Sequence, residues 1–464
     1  MYQYEGLEDT IAAISTPTGQ GGIGIVRLSG KEAVSIADRI FRPRRPGSLT
    51  AAGTFTVHYG WIVGGRGKNI DEVLVTLMRA PRSYTVEDVV EISCHGGMVA
   101  LRTILQRTLD EGARLAQPGE FTKRAFLNGR IDLTQAEAVL DIIQSKTEAF
   151  LRVSTNQLKG ELSGELSRIR EELTGIYVEL EAIVNFPEDE LDADGRERLA
   201  ERITGTRQQV EKLLGSADQG RLLKEGIKIV LCGKPNVGKS SLLNVLLKTE
   251  RAIVSAIAGT TRDTIEETAQ INGFPFQLVD TAGVLEPRDM IEEEAVRRSH
   301  LYMEGADLVL LLIDGAGKLD AQDEAVIAKV KGRDLLVVIN KSDLPARVSP
   351  AELEQRLPGK PVIGISALKG TQVDALKEKI VAEVLHGKQV SADHLLISNV
   401  RHITALKDGA RALEAAVTHM RNGLSLEFVS EEIKTAVNCL DRITGRNIDT
   451  DLLDTIFSQF CIGK

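Results

Sequence analysis

Hydrophobic positions change their period along the chain, and each change marks a new kind of structure. Early on, short β-branched or alternating runs predict strands at Gly22–Leu28, Thr54–Tyr59, Asp71–Met78 and Asp88–Ser93. Helical spacing over Gly30–Phe41 and about residues 97–111 lies among them, so residues 1–128 read as a small α+β domain. From Thr134 to about Gly220 the pattern turns long and helical, with Leu140, Ile143, Phe150 and Leu151 on one stripe. Pro187 and the acidic run Glu188–Asp194 predict a break between helices there. A third regime places the strand candidates Gly226–Cys232, Phe276–Asp280, Leu335–Asn340 and Val362–Ile365 within an α/β module over 221–386. From Leu395 to Phe460 the pattern is helical again. Domain insertion is cheap because domain termini lie close together, so 129–220 and 387–464 read as one discontinuous all-α domain around the module. Linkers are expected at Gly220–Gly226 and His386–Asp393, where they would transmit motion.

Composition adds exclusions. The chain has 464 residues, enough for about three domains, and is 42% apolar and 27% charged, as ordinary globular chains are. Aromatics make up only 4%, which suits helical packing by Leu, Ile, Val and Ala. A net charge of −9 excludes a chain-wide basic footprint for nucleic acid and leaves room for a local patch. Cys94, Cys232, Cys439 and Cys461 are scattered with no C-x-x-C pair, which argues against a disulfide framework or a zinc site and fits a reducing cytoplasm. The polar start and the lack of a run of ~20 apolar residues predict neither signal peptide nor membrane span. Cys461-Ile-Gly-Lys464 fits a prenylation box poorly.

The module carries the chemistry. Gly233-Lys-Pro-Asn-Val-Gly-Lys-Ser240 stands between a predicted strand and a predicted helix, the context a phosphate-binding loop needs. Its glycines let backbone N–H groups of Asn236, Val237 and Gly238 turn towards a phosphate, and the helix N-terminus adds partial positive charge. Lys239 is placed to reach the β- and γ-phosphates, and Ser240, followed by Ser241, to ligate magnesium. Asp280-Thr281-Ala282-Gly283 follows a strand and supplies a carboxylate for the magnesium shell and a backbone N–H near the γ-phosphate. Asn340-Lys341-Ser342-Asp343 and Ser366-Ala367-Leu368 also follow strands, at the ends where α/β sheets bind ligands. Asp343 can accept from both donors of the guanine edge, a pattern that adenine lacks. Alone, each string is an ordinary surface turn. Together and in this order they predict GTP binding and hydrolysis.

Val284 stands where Ras-type enzymes have the water-orienting Gln, so a polar group must come from elsewhere. Glu292, Glu293 and Glu294 are equal candidates on spacing, and an acidic helix start explains them as well. No arginine finger is evident. Asn236 and the run Ser255-Ala256-Ile257-Ala258-Gly259-Thr260-Thr261 place oxygens near the β/γ bridge, where a monovalent cation can replace the finger's charge. Thr261 is also a magnesium ligand candidate.

Other stretches carry a resemblance. Gly19–Arg27, Glu87–Gly97, Pro118–Ala138, the Lys234–Ser240 loop, Gly259–Asp263 and the terminal Cys461–Lys464 together resemble the tRNA-modification GTPase family MnmE, also called TrmE, over nearly the whole length. The resemblance implies an N-terminal domain that dimerises and binds 5-formyl-tetrahydrofolate or another tetrahydrofolate derivative, with contacts on Arg27, Glu91, Arg130 and Lys464. It implies a potassium site on Asn236, Ser255, Ile257 and Thr260, and Glu292 as the catalytic glutamate. It further implies a homodimer, an FAD-containing MnmG-like partner in a heterotetramer or larger complex, and carboxymethylaminomethyl-type modification of the tRNA wobble uridine. Taken without it, Arg27 and Arg130 read as exposed ion-pair partners and Lys464 as a frayed end. Cys461 is a possible functional thiol near the folate site, and His95 reads as structural. Gly19–Gly24 lacks the spacing of a dinucleotide fingerprint and reads as a turn. The competing class is a ribosome-assembly GTPase like Era or Der, but no KH-type RNA-binding module follows the GTPase segment.

Overall fold

The computed structural model describes residues 8–17, 19–65, 67–185, 192–249, 267–280, 303–385 and 395–464. First come β1 (Ile11–Ile14), β2 (Ile23–Ser29), α1 (Ala33–Ile40), β3 (Phe41–Pro43), β4 (Thr56–Val63), β5 (Asn69–Met78), β6 (Val89–His95), α2 (Met98–Asp110), β7 (Arg114–Leu115) and α3 (Glu120–Leu127). Helices α4 (Leu133–Gln144), α5 (Glu148–Leu158), α6 (Glu161–Asn185), α7 (Ala193–Leu214) and α8 (Ala217–Glu225) follow. An alternating stretch brings β8 (Ile227–Cys232), α9 (Lys239–Thr249), β9 (Glu267–Ile271), β10 (Phe274–Asp280), β11 (Leu308–Asp314), α10 (Ala321–Val330), β12 (Leu335–Asn340), α11 (Pro350–Arg356), β13 (Val362–Gly364) and α12 (Val373–Val384). The last helices are α13 (Val400–Arg421), α14 (Leu426–Thr444) and α15 (Thr450–Ser458). The chain divides into two compact units, one of residues 1–140, 157–170 and 437–464, the other of 141–156 and 171–436.

In the first unit, a 7-stranded sheet runs β3-β4-β5-β6-β2-β1-β7. Val26, Leu28, Val75, Val90 and Ile92 point from it to Ile36 and Ile40 of α1 and Leu101 and Ile104 of α2, all fully or nearly fully buried. Gly24 is required beneath α2, because a Cβ there would lie 2.7 Å from the Leu101 side chain. The predicted helix over Gly30–Phe41 stops at Ile40. Phe41 opens β3 instead, as Pro43 biases the chain before it towards extended backbone. The 4-residue β1 and 2-residue β7 are too short to show a period and owe their existence to pairing with β2 and with each other. Phe126, Leu133, Leu453, Phe457 and Phe460 form a separate apolar cluster that brings α15 onto α3 and α4.

The second unit holds a 6-stranded sheet, β13-β12-β11-β8-β10-β9, parallel except for the β9–β10 pair. Ile229, Leu231, Leu310, Leu312, Leu336 and Val338 face one layer. Val230, Val309, Leu311, Ile313, Val337 and Ile339 face the other. Burial on both faces explains why these strands are continuously apolar.

One expectation is corrected here. Gly220–Gly226 is not a linker, since α8 runs to Glu225 and only Gly226, at φ +94°, breaks the helix. Gly220 serves packing: a Cβ there would lie 2.1 Å from the Ile397 carbonyl. The predicted break around Pro187 falls between the end of α6 and the start of α7, and residues 186–191 lie outside the described residues, as does the expected linker His386–Asp393. Among the described residues, no helix is long and apolar enough to cross a membrane.

Candidate functional site

β8 delivers the chain to a loop that turns on Gly233, Asn236 and Gly238, at φ +152°, +64° and +99°. A Cβ on Gly238 would stand 2.2 Å from Asn340 Nδ2, so two loops meet here at contact distance. Lys239 opens α9, and its Nζ donates to the Gly233 carbonyl at 2.8 Å and the Lys234 carbonyl at 3.0 Å. The ammonium thus closes across the first turn of the loop. Val237 is buried as the loop's anchor, while Asn236, Ser240 and Ser241 are exposed around the helix N-terminus.

The opposite wall is built at the ends of β12 and β13. Asn340 is 2% exposed. Its Nδ2 donates to the Val237 carbonyl at 2.8 Å, and its Oδ1 accepts from Ala367 N–H at 3.0 Å. One side chain therefore ties the phosphate loop to the Ser366–Leu368 loop. Lys341, at φ +66°, donates to Asp314 Oδ2 at 2.7 Å. Asp343 Oδ1 accepts from Ser366 Oγ at 2.7 Å, and this hydrogen bond holds the carboxyl below the usual aspartate range. Leu368 stands 85% exposed beside them. Asp280 ends β10, its backbone paired with Leu231 next to the loop. The expected roles of Ser255, Ala256, Ile257, Ala258, Gly259, Thr260, Thr261, Thr281, Ala282, Gly283 and Glu292 fall outside the described residues.

Sequence reasoning missed a set of acids beside this wall. Lys234 Nζ donates to Asp320 Oδ2 at 2.8 Å and Asp323 Oδ2 at 2.7 Å. Burial alone would lower the Lys234 pKa, but these two hydrogen bonds outweigh it and raise it. The available signal was Asp320-Ala-Gln-Asp323, a capping box at the start of α10.

In the first unit, Arg27 and Glu91 are paired across β2 and β6, and their side chains meet at 2.7 Å. Arg27 also donates to the Gly463 carbonyl at 3.1 Å and lies 5.7 Å from the centre of the Phe121 ring. Phe121 N–H in turn donates to the Lys464 carbonyl at 3.2 Å, so the last residues are docked rather than frayed. Arg130 donates to the Tyr84 carbonyl at 3.1 Å and lies 4.9 Å from the centre of that residue's ring. Burial raises the Tyr84 pKa, opposed by the hydrogen bond with Thr122 and by the charges of Arg130 and Arg27. The fold thus brings Arg27, Glu91, Phe121 and the backbone of Gly463 and Lys464 together, while Arg130 packs on Tyr84 and Cys461 is exposed. Phe121 and Tyr84 complete the cluster and had no sequence signal. His95 Nδ1 lies 2.7 Å from Asp71 Oδ1 at the sheet end, in keeping with a structural part.

Family models match nearly all of this chain. A "GTP-binding protein TrmE N-terminus" model matches residues 10–130, and an "MnmE helical domain" model matches residues 133–461. The tRNA modification GTPase MnmE of Moorella thermoacetica is 46% identical over 99% of this chain and 100% of its own length. The chain belongs to the MnmE family. A second member, from Geobacillus kaustophilus, is 44% identical over 98% of this chain and 99% of its own. Among solved structures, a point variant of Aquifex aeolicus Era bound to GDP.AlF4- is 31% identical over 40% of this chain and 66% of that one, with a TM-score of 0.28. The residues matched by the MnmE helical model take in the whole alternating stretch from β8 to α12.

Proposed function

We propose that this chain hydrolyses GTP to drive C5 modification of the wobble uridine of certain tRNAs, together with an FAD-containing partner of the MnmG kind. One observation carries the reading: Lys239, Asn340 and Asp343 follow the carboxyl ends of β8 and β12 in the parallel part of one sheet, the edge where such sheets take nucleotides. Lys239 exchanges its loop carbonyls for the β- and γ-phosphate oxygens. Asp343 reads the N1–H and exocyclic amine of guanine. Its depressed pKa keeps it ionised for that task.

Ser240, at the α9 N-terminus, fits a magnesium ligand, with Thr261 as a second and Asp280 in the surrounding shell. Asn236, exposed in the phosphate loop, fits a potassium ligand, joined by Ser255, the Ile257 carbonyl and Thr260. When bound, both cations supply positive charge to the phosphate oxygens that gain charge during cleavage. Glu292 holds the attacking water.

The Arg27 cluster fits a tetrahydrofolate derivative such as 5-formyl-tetrahydrofolate, which supplies a one-carbon unit. Arg27 aligns the Glu91 carboxylate to accept from a pterin's guanidine-like edge, while Arg130 and Lys464 suit polar or anionic groups. The same reading takes the domains as 1–128, 129–220 with 387–464, and 221–386. It also takes the assembly as a cytoplasmic homodimer within a heterotetramer or larger complex. Reconstitution with the flavin partner, 5-formyl-tetrahydrofolate and tRNA, followed by nucleoside analysis, is the test. A modified uridine that disappears in Arg27→Ala supports the reading, and its absence with wild-type protein refutes it. Replacing potassium by sodium should lower GTP turnover steeply; equal rates would remove the cation from the mechanism.

A further inference from the structure

The segment Asp314–Asp323, from the last residue of β11 into the first turn of α10, bonds to both walls of the nucleotide site. Asp314 accepts from Lys341 on the base side at 2.7 Å. Asp320 and Asp323 accept from Lys234 on the phosphate side, at 2.8 and 2.7 Å. The backbone follows the side chains: Gly315 N–H donates to the Asn340 carbonyl at 2.8 Å, and Arg347 N–H donates to the Gly315 carbonyl at 2.7 Å. Asp323 is only 2% exposed, and its Oδ1 has no hydrogen-bond partner among the described residues. A buried carboxylate with one oxygen unsatisfied is costly, and a helix cap alone does not require it. Its other oxygen accepts from Asp320 N–H at 3.1 Å as well as from Lys234. The Lys234 carbonyl is one of the two that hold Lys239 Nζ before nucleotide arrives, so the Lys234 ion pair and the ammonium belong to the same turn of the loop.

We propose that Lys234, Asp323 and Asp314 are positioning residues, through which the Asp314–Asp323 segment presets the spacing between the phosphate loop and the base loop before nucleotide arrives. This deepens the GTP reading and rests on it. Loops held at the right spacing have less ordering to do on binding, so the gain falls on affinity rather than on the chemical step.

The test uses full-length protein with fluorescent GDP for affinity, steady-state GTP turnover, and thermal midpoints without nucleotide. Asp323→Asn and Lys234→Met should each raise the GDP Kd and the GTP KM about tenfold while kcat stays within about threefold. Lys234→Arg should restore most of the affinity, and the double variant should be no worse than either single one. Unchanged affinity in both single variants overturns the proposal, as does a lowered thermal midpoint with affinity intact, which would mark a purely structural pair. Lys234→Met keeps the test available should Asp323→Asn fail to fold. Failure of the GTP reading looks different: wild-type protein would then bind GDP no better than Lys239→Ala.

Discussion

Arg27 donates a hydrogen bond to the carbonyl of Gly463, a residue 436 positions further along the chain. Gly463 sits at φ +91°, and a Cβ there would lie 2.4 Å from the Ile14 carbonyl. The docked end therefore depends on glycine at this position. Gly463→Val should release the terminal tetrapeptide and weaken binding of 5-formyl-tetrahydrofolate about tenfold or more, with GTP turnover retained. Calorimetry with the folate beside a phosphate-release assay checks both halves.

Asn340 commits both ends of its amide to protein backbone, so its replacement removes partners from a buried carbonyl and a buried N–H at once. Asn340→Ala should cost about 2 kcal/mol or more of stability. It should also loosen the phosphate loop, lowering GDP affinity in step. Denaturant unfolding and fluorescent GDP titration measure the two effects. A stable variant with unchanged GDP affinity would contradict the bridging role.

The Ser366 hydroxyl holds the Asp343 carboxyl below its usual range. A depressed pKa means that the charged, guanine-reading form persists as pH falls, and is lost only when pH drops through that lowered value. The GDP phosphate itself titrates at about pH 6 in either protein, so it is the ratio of wild-type to Ser366→Ala affinity that should stay nearly flat between about pH 7.5 and pH 5. Ser366→Ala should bring the acid loss of affinity to higher pH. Affinity measured across this range and below it in both proteins decides it; coincident profiles would count against the hydrogen bond.

Thiol reactivity should separate the cysteines. Cys461 is exposed, whereas Cys94 is buried, and desolvation, with help from the charge of Asp71, pushes its thiol up to about 11. Only thiolate reacts with iodoacetamide, so at about pH 8 Cys461 should be alkylated at least about tenfold faster than Cys94. Peptide mapping over a time course gives both rates. Docking of a folate derivative should slow the labelling of Cys461 if the tail lines that site.

Much of the α/β module is legible in the order of its residues. The strands Ile227–Cys232 and Leu335–Asn340 lie within one residue of the predicted runs, because a strand buried on both faces must be apolar at nearly every position. In the first unit the long strands were equally plain, but β1, β3 and β7 were not, since 4, 3 and 2 residues cannot display a period. The segment Gly220–Gly226 misled in the opposite sense. It reads as a linker between domains, and the structure uses Gly220 for close contact inside a helix.

What the sequence determined by itself is local: where strands run, where the phosphate loop turns, and which strings of side chains stand after each strand. Those features follow from backbone conformation and burial acting over a few neighbouring residues. Only the tertiary structure decided that Asn340 reaches Val237 across 103 positions, that Lys234 finds Asp323 across 89, and that the chain's last residues lie against Arg27. Such pairs leave no periodic trace, because hydrogen bonds and ion pairs form between whatever groups the packed core brings within about 3 Å.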